Sequence, residues 1–426
     1  MLKKISVHQL RLGMHLHALE GPWIKHPFWR TRFVLTDTAD LTLLFDSGVP
    51  ACWIDDSLGL DIAPVVAAAM PLTTAAMPAV AVVAATAVTA AVPAGPNPPA
   101  PSQPVGRNLQ AELQQAAAIC QRGRKAVTTM FQEARMGRSL DTAGCLELVE
   151  DISASVLRNP GALVSLARLK SKDNYSYMHS VAVCALMVGL GRQLGLDQDE
   201  CRSAGMAGLV HDVGKALLPP NILDKPGKLT EAEFAIVRSH PKRGHALLLG
   251  GQGTSAEMLD VALHHHERMD GTGYPDRLPG AQISRIVRMG AVCDVYDAIT
   301  SNRPYKAGWD PAESIARMVS WKGHFDEEIL NAFVRSVGIY PTGSLVRLQT
   351  GLVAVVCEQN PAALISPIVH AFYSTRSNMP IPPRLIDLAR SGCADRITGR
   401  EPNTDGRYPN VNELWADPVV LRKMAA

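Results

Sequence analysis

From Ile62 to Val105 the chain carries no charged residue, and alanine, valine and proline dominate it. Prolines at 71, 78 and 93 break any helix there, and no polar face is left to meet water. The longest proline-free run, Ala79 to Val92, is fourteen residues, short of the roughly 18 to 20 that span a bilayer. The stretch therefore reads as an extended linker that cuts the 426 residues into separately folding parts, with an interfacial or membrane role as the alternative and no transmembrane segment expected. The predicted organisation is a small α+β module over 1–61, the linker over 62–105, a helical connector over 106–149, a helical domain over 150–338, and a C-terminal extension over 339–426 with a β-hairpin and an irregular tail.

Periodicity supports that division. The first module reads as a strand near Ile5 to Leu16, a short helix around Leu41 to Phe45, a turn at Gly48 and a strand from Ala51 to Ile54. After the linker, Leu109, Leu113, Ala116, Ala117 and Cys120 fall on one helical face, and a similar stripe runs from Leu146 to Leu157. Helical patterns joined by Gly and Pro turns continue to about residue 335, and GSLVRLQTGLVAVVCEQ then alternates like a hairpin. The fold class is mainly α. Lys and Arg number 42 against 40 for Asp and Glu, so no global basic field attracts nucleic acid. The N-terminal MLKKISVHQLRLGMHLH lacks the apolar run of a signal peptide, and eight scattered cysteines without a CxxC pair suit a reducing cytoplasm.

Inside the helical region, histidines and aspartates recur in short polar words set into apolar helices. They are His179 in YSYMHSVAVCALMVGL, His211 and Asp212 in GLVHDVGKALLP, His240 in VRSHPKRGHALLL, His265 and His266 in HHHERMDGTGYP, and Asp294 in RMGAVCDVYDAIT. Burying so many ionisable groups is costly unless a cation compensates. Imidazoles and carboxylates without thiolates suit a borderline divalent ion such as iron, manganese, cobalt, nickel or zinc, and not a structural zinc cage. Five histidines and two aspartates exceed the needs of one four-coordinate ion, which points to a dinuclear site. Two ions about 3.5 to 4 Å apart can activate water and neutralise a phosphoryl group.

The words HDVGK, LDKPGKLTEAE, SHPKRG, HHERMDGTGYP and CDVYDAITSNRPYK, in that order over roughly residues 150 to 335, resemble the HD-GYP subclass of the HD phosphohydrolases. GPWIKHPFWRTRF resembles part of a small domain that often precedes HD-GYP domains in bacterial proteins. The resemblance implies an all-helical domain that hydrolyses cyclic di-GMP to pGpG, and in some members to GMP. It carries metal ligation to His179, His211, Asp212, His240, His265, His266 and Asp294, with Asp212 as the bridge, and leaves His264 as the spare. Some members add a third metal through a glutamate one turn before the first histidine. Tyr175 stands there, so two ions, iron or manganese, are expected.

Lys215, three residues after Asp212, is expected to touch a phosphate oxygen or protonate the leaving 3′ oxygen; on residues alone, a plain ion pair remains open. Arg303 and Lys306 resemble family positions that contact substrate phosphates. The loop Asp270, Gly271, Gly273, Tyr274, Pro275 either shapes the substrate mouth or presents Tyr274 to a partner, while Glu267 and Asp270 brace it or orient histidines. The leading expectation is a metal-dependent cyclic di-GMP phosphodiesterase. The alternatives are a non-catalytic scaffold that contacts diguanylate cyclase domains and a hydrolase of another cyclic dinucleotide. Homodimerisation is left open.

Overall fold

A computed structural model describes residues 2–19, 33–46, 51–61, 109–169, 175–225, 227–301, 308–360, 362–403 and 406–425. The linker 62–105, the Gly48 turn and nearly all of GPWIKHPFWRTRF lie outside the described residues. The chain divides into two compact units, Met1–Pro104 and Val105–Ala426. No helix among the described residues is long and apolar enough to cross a membrane. All eight cysteines are free; seven are buried and Cys393 is partly exposed.

In the first unit, strands β1 (Leu2–Ser6), β2 (His15–Leu19), β3 (Phe33–Val34) and β4 (Ala51–Asp55) form an antiparallel sheet in the order β1-β4-β2-β3, joined by helix α1 (Thr38–Asp46). Sheet and helix enclose Ile5, Leu16, Leu35, Leu44, Cys52 and Ile54. The single strand expected from Ile5 to Leu16 is instead two strands separated by a 3₁₀ turn at Val7–Gln9. Gly13 at φ +87° turns the chain before β2, a conformation that glycine reaches without strain. The helix expected at Leu41 to Phe45 and the strand at Ala51 to Ile54 form as α1 and β4.

The second unit contains α2 (Leu109–Arg135), α3 (Leu146–Arg158), α4 (Pro160–Arg168), α5 (Tyr175–Gln193), α6 (Gln198–Val210), α7 (Pro220–Leu223), α8 (Glu231–Val237), α9 (His240–Leu249), α10 (Ala256–His264), α11 (Arg285–Thr300), α12 (Pro311–Ser320) and α13 (Glu327–Val337). Helix α5 is apolar on nearly every side because it lies in the middle, against α2, α3, α4, α6, α11 and α13. Helix α2 does more than connect: Leu113, Ala117, Val127 and Phe131 are buried in the same core as Val181 and Met187 of α5. Side-chain caps fix several starts, with Asp197 for α6, Ser255 for α10 and Ser284 for α11.

The expected C-terminal hairpin is present as β5 (Leu345–Leu348) and β6 (Leu352–Glu358), but it belongs to a five-stranded antiparallel sheet. Strands β7 (Ile368–Ser374), β8 (Met379–Asp387) and β9 (Ile397–Arg400) complete it in the order β8-β7-β6-β5-β9. Along β6 the side chains alternate between two cores: Val353, Val355 and Cys357 join the helices, whereas Ala354 and Val356 join a separate cluster with Val369 and Ala371. The tail expected to be irregular carries β9 and α14 (Pro418–Ala425), which packs on α2.

Candidate metal centre

Three helices and two turns bring the predicted donors together. His179 lies on α5, His211 and Asp212 follow α6, His240 opens α9, His265 and His266 follow α10, and Asp294 lies on α11. Six of the seven are buried to 5% exposure or less, with His266 partly covered. The Asp212 turn can approach α9 because Gly214 has no side chain: a Cβ there would stand 2.0 Å from the His240 carbonyl oxygen and 2.5 Å from the Gly244 nitrogen.

The donor atoms fall into two sets around one carboxylate. Asp212 Oδ2 lies 3.4 Å from His179 Nε2 and 3.4 Å from His211 Nε2, while Oδ1 lies 3.2 Å from His240 Nε2 and 3.6 Å from His265 Nε2. Asp294 Oδ1 closes the first set, 3.0 Å from His179 Nε2. His266 closes the second; donor atoms of His240, His265 and His266 lie within 4.8 Å of one another.

The outer nitrogens explain why these rings face inward. Nδ1 of His211, His240 and His265 reaches the carbonyl oxygens of Gly208, Val237 and Val261 at 2.8, 2.8 and 2.9 Å. Nδ1 of His179 reaches Asp297 Oδ2 at 2.6 Å. With the proton held at each Nδ1, the Nε2 lone pair points to the centre. Asp297, absent from the expected set, was visible only as the second aspartate of CDVYDAIT, one turn after Asp294.

Electrostatics and unsatisfied atoms agree on what the centre accepts. Burial opposes charge on Asp212, but Lys215 and His211 hold its carboxyl well below the usual range. Burial likewise opposes charge on Asp294, and His179 and His211 outweigh it. Burial pushes His240 down to about 4, and burial reinforced by His265 pushes His266 well down, so both rings stand in the neutral form that metals bind. His211 is pushed up to about 10, because the Asp212 carboxylate overcomes its burial. His211 Nε2 and Asp212 Oδ1 are nevertheless buried without a hydrogen bond. Neutral His240 and His266, the ionised carboxylates of Asp212 and Asp294, and two buried polar atoms left without a partner fit a divalent cation, which takes the place of the proton that Asp212 holds on His211.

The surrounding residues have separate tasks. Lys215 Nζ donates to Asp212 Oδ2. Glu267, buried, accepts from three successive backbone nitrogens, of Asp276, Arg277 and Leu278, at 2.7, 3.0 and 3.1 Å. Asp270 accepts from Thr272 N and Oγ1 at 3.0 and 2.6 Å. Gly271 sits at φ +71°, and a Cβ on Gly273 would stand 2.5 Å from the Glu267 Cα. Tyr274 stacks on His266, ring centres 4.6 Å apart, and precedes Pro275 in the loop. His264 turns elsewhere, toward Asp260 Oδ1 at 2.7 Å and Asp276 Oδ2 at 3.3 Å, and ties α10 to the loop exit. Arg303, Lys306 and the side chain of Tyr175 lie outside the described residues.

Residues 159–329 match the HD domain family, and residues 2–145 match a domain of unknown function, DUF3391. Over 420 residues, 97% of this chain and 96% of the other, the sequence is 52% identical to the cyclic di-GMP phosphodiesterase PA4108 of Pseudomonas aeruginosa. The chain belongs to the HD-GYP family. Shorter HD-GYP matches include the cyclic di-GMP phosphodiesterase response regulator RpfG of Xanthomonas campestris, 43% identical over 34% of this chain and 39% of that protein. Another is the 3′3′-cGAMP-specific phosphodiesterase 1 of Vibrio cholerae, 36% identical over 39% of each chain. As an HD-GYP domain with this donor cluster, the second unit binds divalent metal.

Proposed function

We propose that the chain is a metal-dependent phosphodiesterase that hydrolyses cyclic di-GMP to pGpG and so lowers the level of that second messenger. The observation that carries this reading is the placement of Asp212 between two complete donor sets, in a chain similar almost end to end to a cyclic di-GMP phosphodiesterase. His179, His211, Asp212 and Asp294 hold one ion; Asp212, His240, His265 and His266 hold the other. The all-nitrogen-and-oxygen set favours iron or manganese. When bound, the ions supply an activated water and positive charge for the phosphoryl oxygens.

The chain's own residues do the rest. Asp297 fixes the His179 tautomer, and Lys215 neutralises Asp212. As the P–O3′ bond breaks, Lys215 Nζ is the proton source for the leaving oxygen. Arg303 and Lys306 hold substrate phosphates. Glu267 and Asp270 keep the GYP loop in the shape that sets Tyr274 on His266. That engagement of Tyr274, together with the full donor set, gives less support to a scaffold that offers the loop to diguanylate cyclase domains. A cyclic dinucleotide second messenger as substrate, and thiols that are all free, support a cytoplasmic location.

The deciding experiment is turnover by the full chain, purified without oxygen and loaded with iron or manganese, with products separated by chromatography. Conversion of cyclic di-GMP to pGpG is expected. A preference for the mixed purine dinucleotide cGAMP would move the chain to the other specificity class, and failure on every cyclic dinucleotide would leave the scaffold.

A further inference from the structure

Arg238 caps the C-terminus of α8, two residues before His240, and stands apart from the other basic residues around the centre. Its guanidinium carbon lies 4.5 Å from the centre of the Tyr274 ring and 5.8 Å from that of Phe234. Tyr274 in turn lies 4.6 Å from His266, so the guanidinium is within about 9 Å of a ring in the donor cluster. Among the described residues it has no carboxylate partner and donates no side-chain hydrogen bond. Its neighbours are occupied: Lys215 by Asp212, Arg268 by Asp270, Lys242 by Asp276, and Arg243 by Ser239 Oγ and the Leu217 carbonyl. A cation–π contact orients a guanidinium without using any of its five N–H donors. Arg238 is thus a positive charge held beside the centre with its hydrogen-bonding capacity unspent.

We propose that Arg238 binds the second phosphodiester of the cyclic dinucleotide, the one that is not being cut. The inference rests on the phosphodiesterase reading above. A cyclic dinucleotide carries two phosphodiester anions, and the donor cluster serves the one undergoing hydrolysis. The other anion can be met at the rim by a further cation, beside whatever Arg303 and Lys306 contribute to the phosphates, and a guanidinium answers it with paired donors. Held on the ring faces of Tyr274 and Phe234, Arg238 loses little side-chain freedom on binding, which favours affinity. The GYP tyrosine then has two contacts, one with a donor histidine and one with the residue that receives the far side of the substrate.

The test compares Arg238→Ala and Arg238→Lys with the wild type, all full-length and metal-loaded, on cyclic di-GMP and on bis(p-nitrophenyl) phosphate, which has one phosphodiester. In Arg238→Ala, KM for cyclic di-GMP is expected to rise about tenfold or more, with kcat within about threefold and metal content equal to wild type. The loss of kcat/KM on cyclic di-GMP should exceed that on the one-phosphate substrate by about tenfold, and Arg238→Lys should recover part of it. Equal losses on both substrates would assign Arg238 to positioning Tyr274 and His266 and overturn the proposal, as would an unchanged KM. Hydrolysis of cyclic di-GMP by the wild type with no effect of either substitution overturns this inference alone. Absence of cyclic di-GMP turnover by the wild type overturns the phosphodiesterase reading, and this inference with it.

Discussion

Replacing Asp297 by asparagine separates the two donor sets. Asp297 Oδ2 lies 2.6 Å from His179 Nδ1, and both residues are buried. The carboxylate keeps the proton on Nδ1 and the lone pair of Nε2 toward Asp212 and Asp294. Asparagine has nearly the same shape but no charge, and its amide can turn an NH₂ onto the ring and drive the proton to Nε2, where it blocks a ligand position. Loss of such a partner lowers metal affinity about 10- to 100-fold, equivalent to about 1.4 to 2.7 kcal/mol. His179 belongs to one set alone, so the loss should be unequal. Manganese titration of the stripped chain against a competing chelator should show one binding step weakened by that factor and the other within about threefold. Equal weakening of both steps, or of neither, would refute the claim that Asp297 acts through His179.

Asp212→Ala removes the carboxylate shared by both sets and should abolish turnover by several orders of magnitude, in a folded chain with depleted metal; elemental analysis beside kinetics checks it. Gly273→Ala places a methyl 2.5 Å from the Glu267 Cα and should displace the GYP loop, lowering kcat about tenfold or more while circular dichroism stays that of the wild type. Stripping metal leaves His211 Nε2 and Asp212 Oδ1 buried and unpaired, so the melting temperature should fall. Restoring manganese to about a hundred times its Kd should return about 2.7 kcal/mol, and a melt insensitive to metal would contradict the site.

The clustering of the seven histidines and aspartates was legible because each sits in a short polar word within an apolar stretch, and burial of such a word needs a chemical reason. Asp297 was not, because its task depends on α11 packing against α5, which no local pattern announces. The Glu267 carboxylate could be expected to brace the loop, but not that it gathers three successive backbone nitrogens nine to eleven residues on. In the first unit, alternation continued through Val7–Gln9, where the chain makes a 3₁₀ turn; the side-chain pattern survives a break that only the backbone shows. At the C-terminus, β8 carries prolines 380, 382 and 383, which argue against a strand. Its place at the sheet edge tolerates them, because an edge strand leaves part of its N–H row unpaired. Arg238 offered no signal at all, since an arginine before a histidine reads as a surface charge until its rings are in place.

The seven buried thiols turn the chain into a recorder of its own opening. Cys52 lies in the first unit, while Cys120, Cys145, Cys184, Cys201, Cys293 and Cys357 lie in the second, so a thiol reagent followed by peptide mapping times the exposure of each unit separately. Cys393, already partly exposed, reacts without any opening and calibrates the reagent. Cys120 on α2 and Cys184 on α5 share one core, so their labelling rates should coincide if those helices open as a single cooperative piece, and diverge if α2 peels away first.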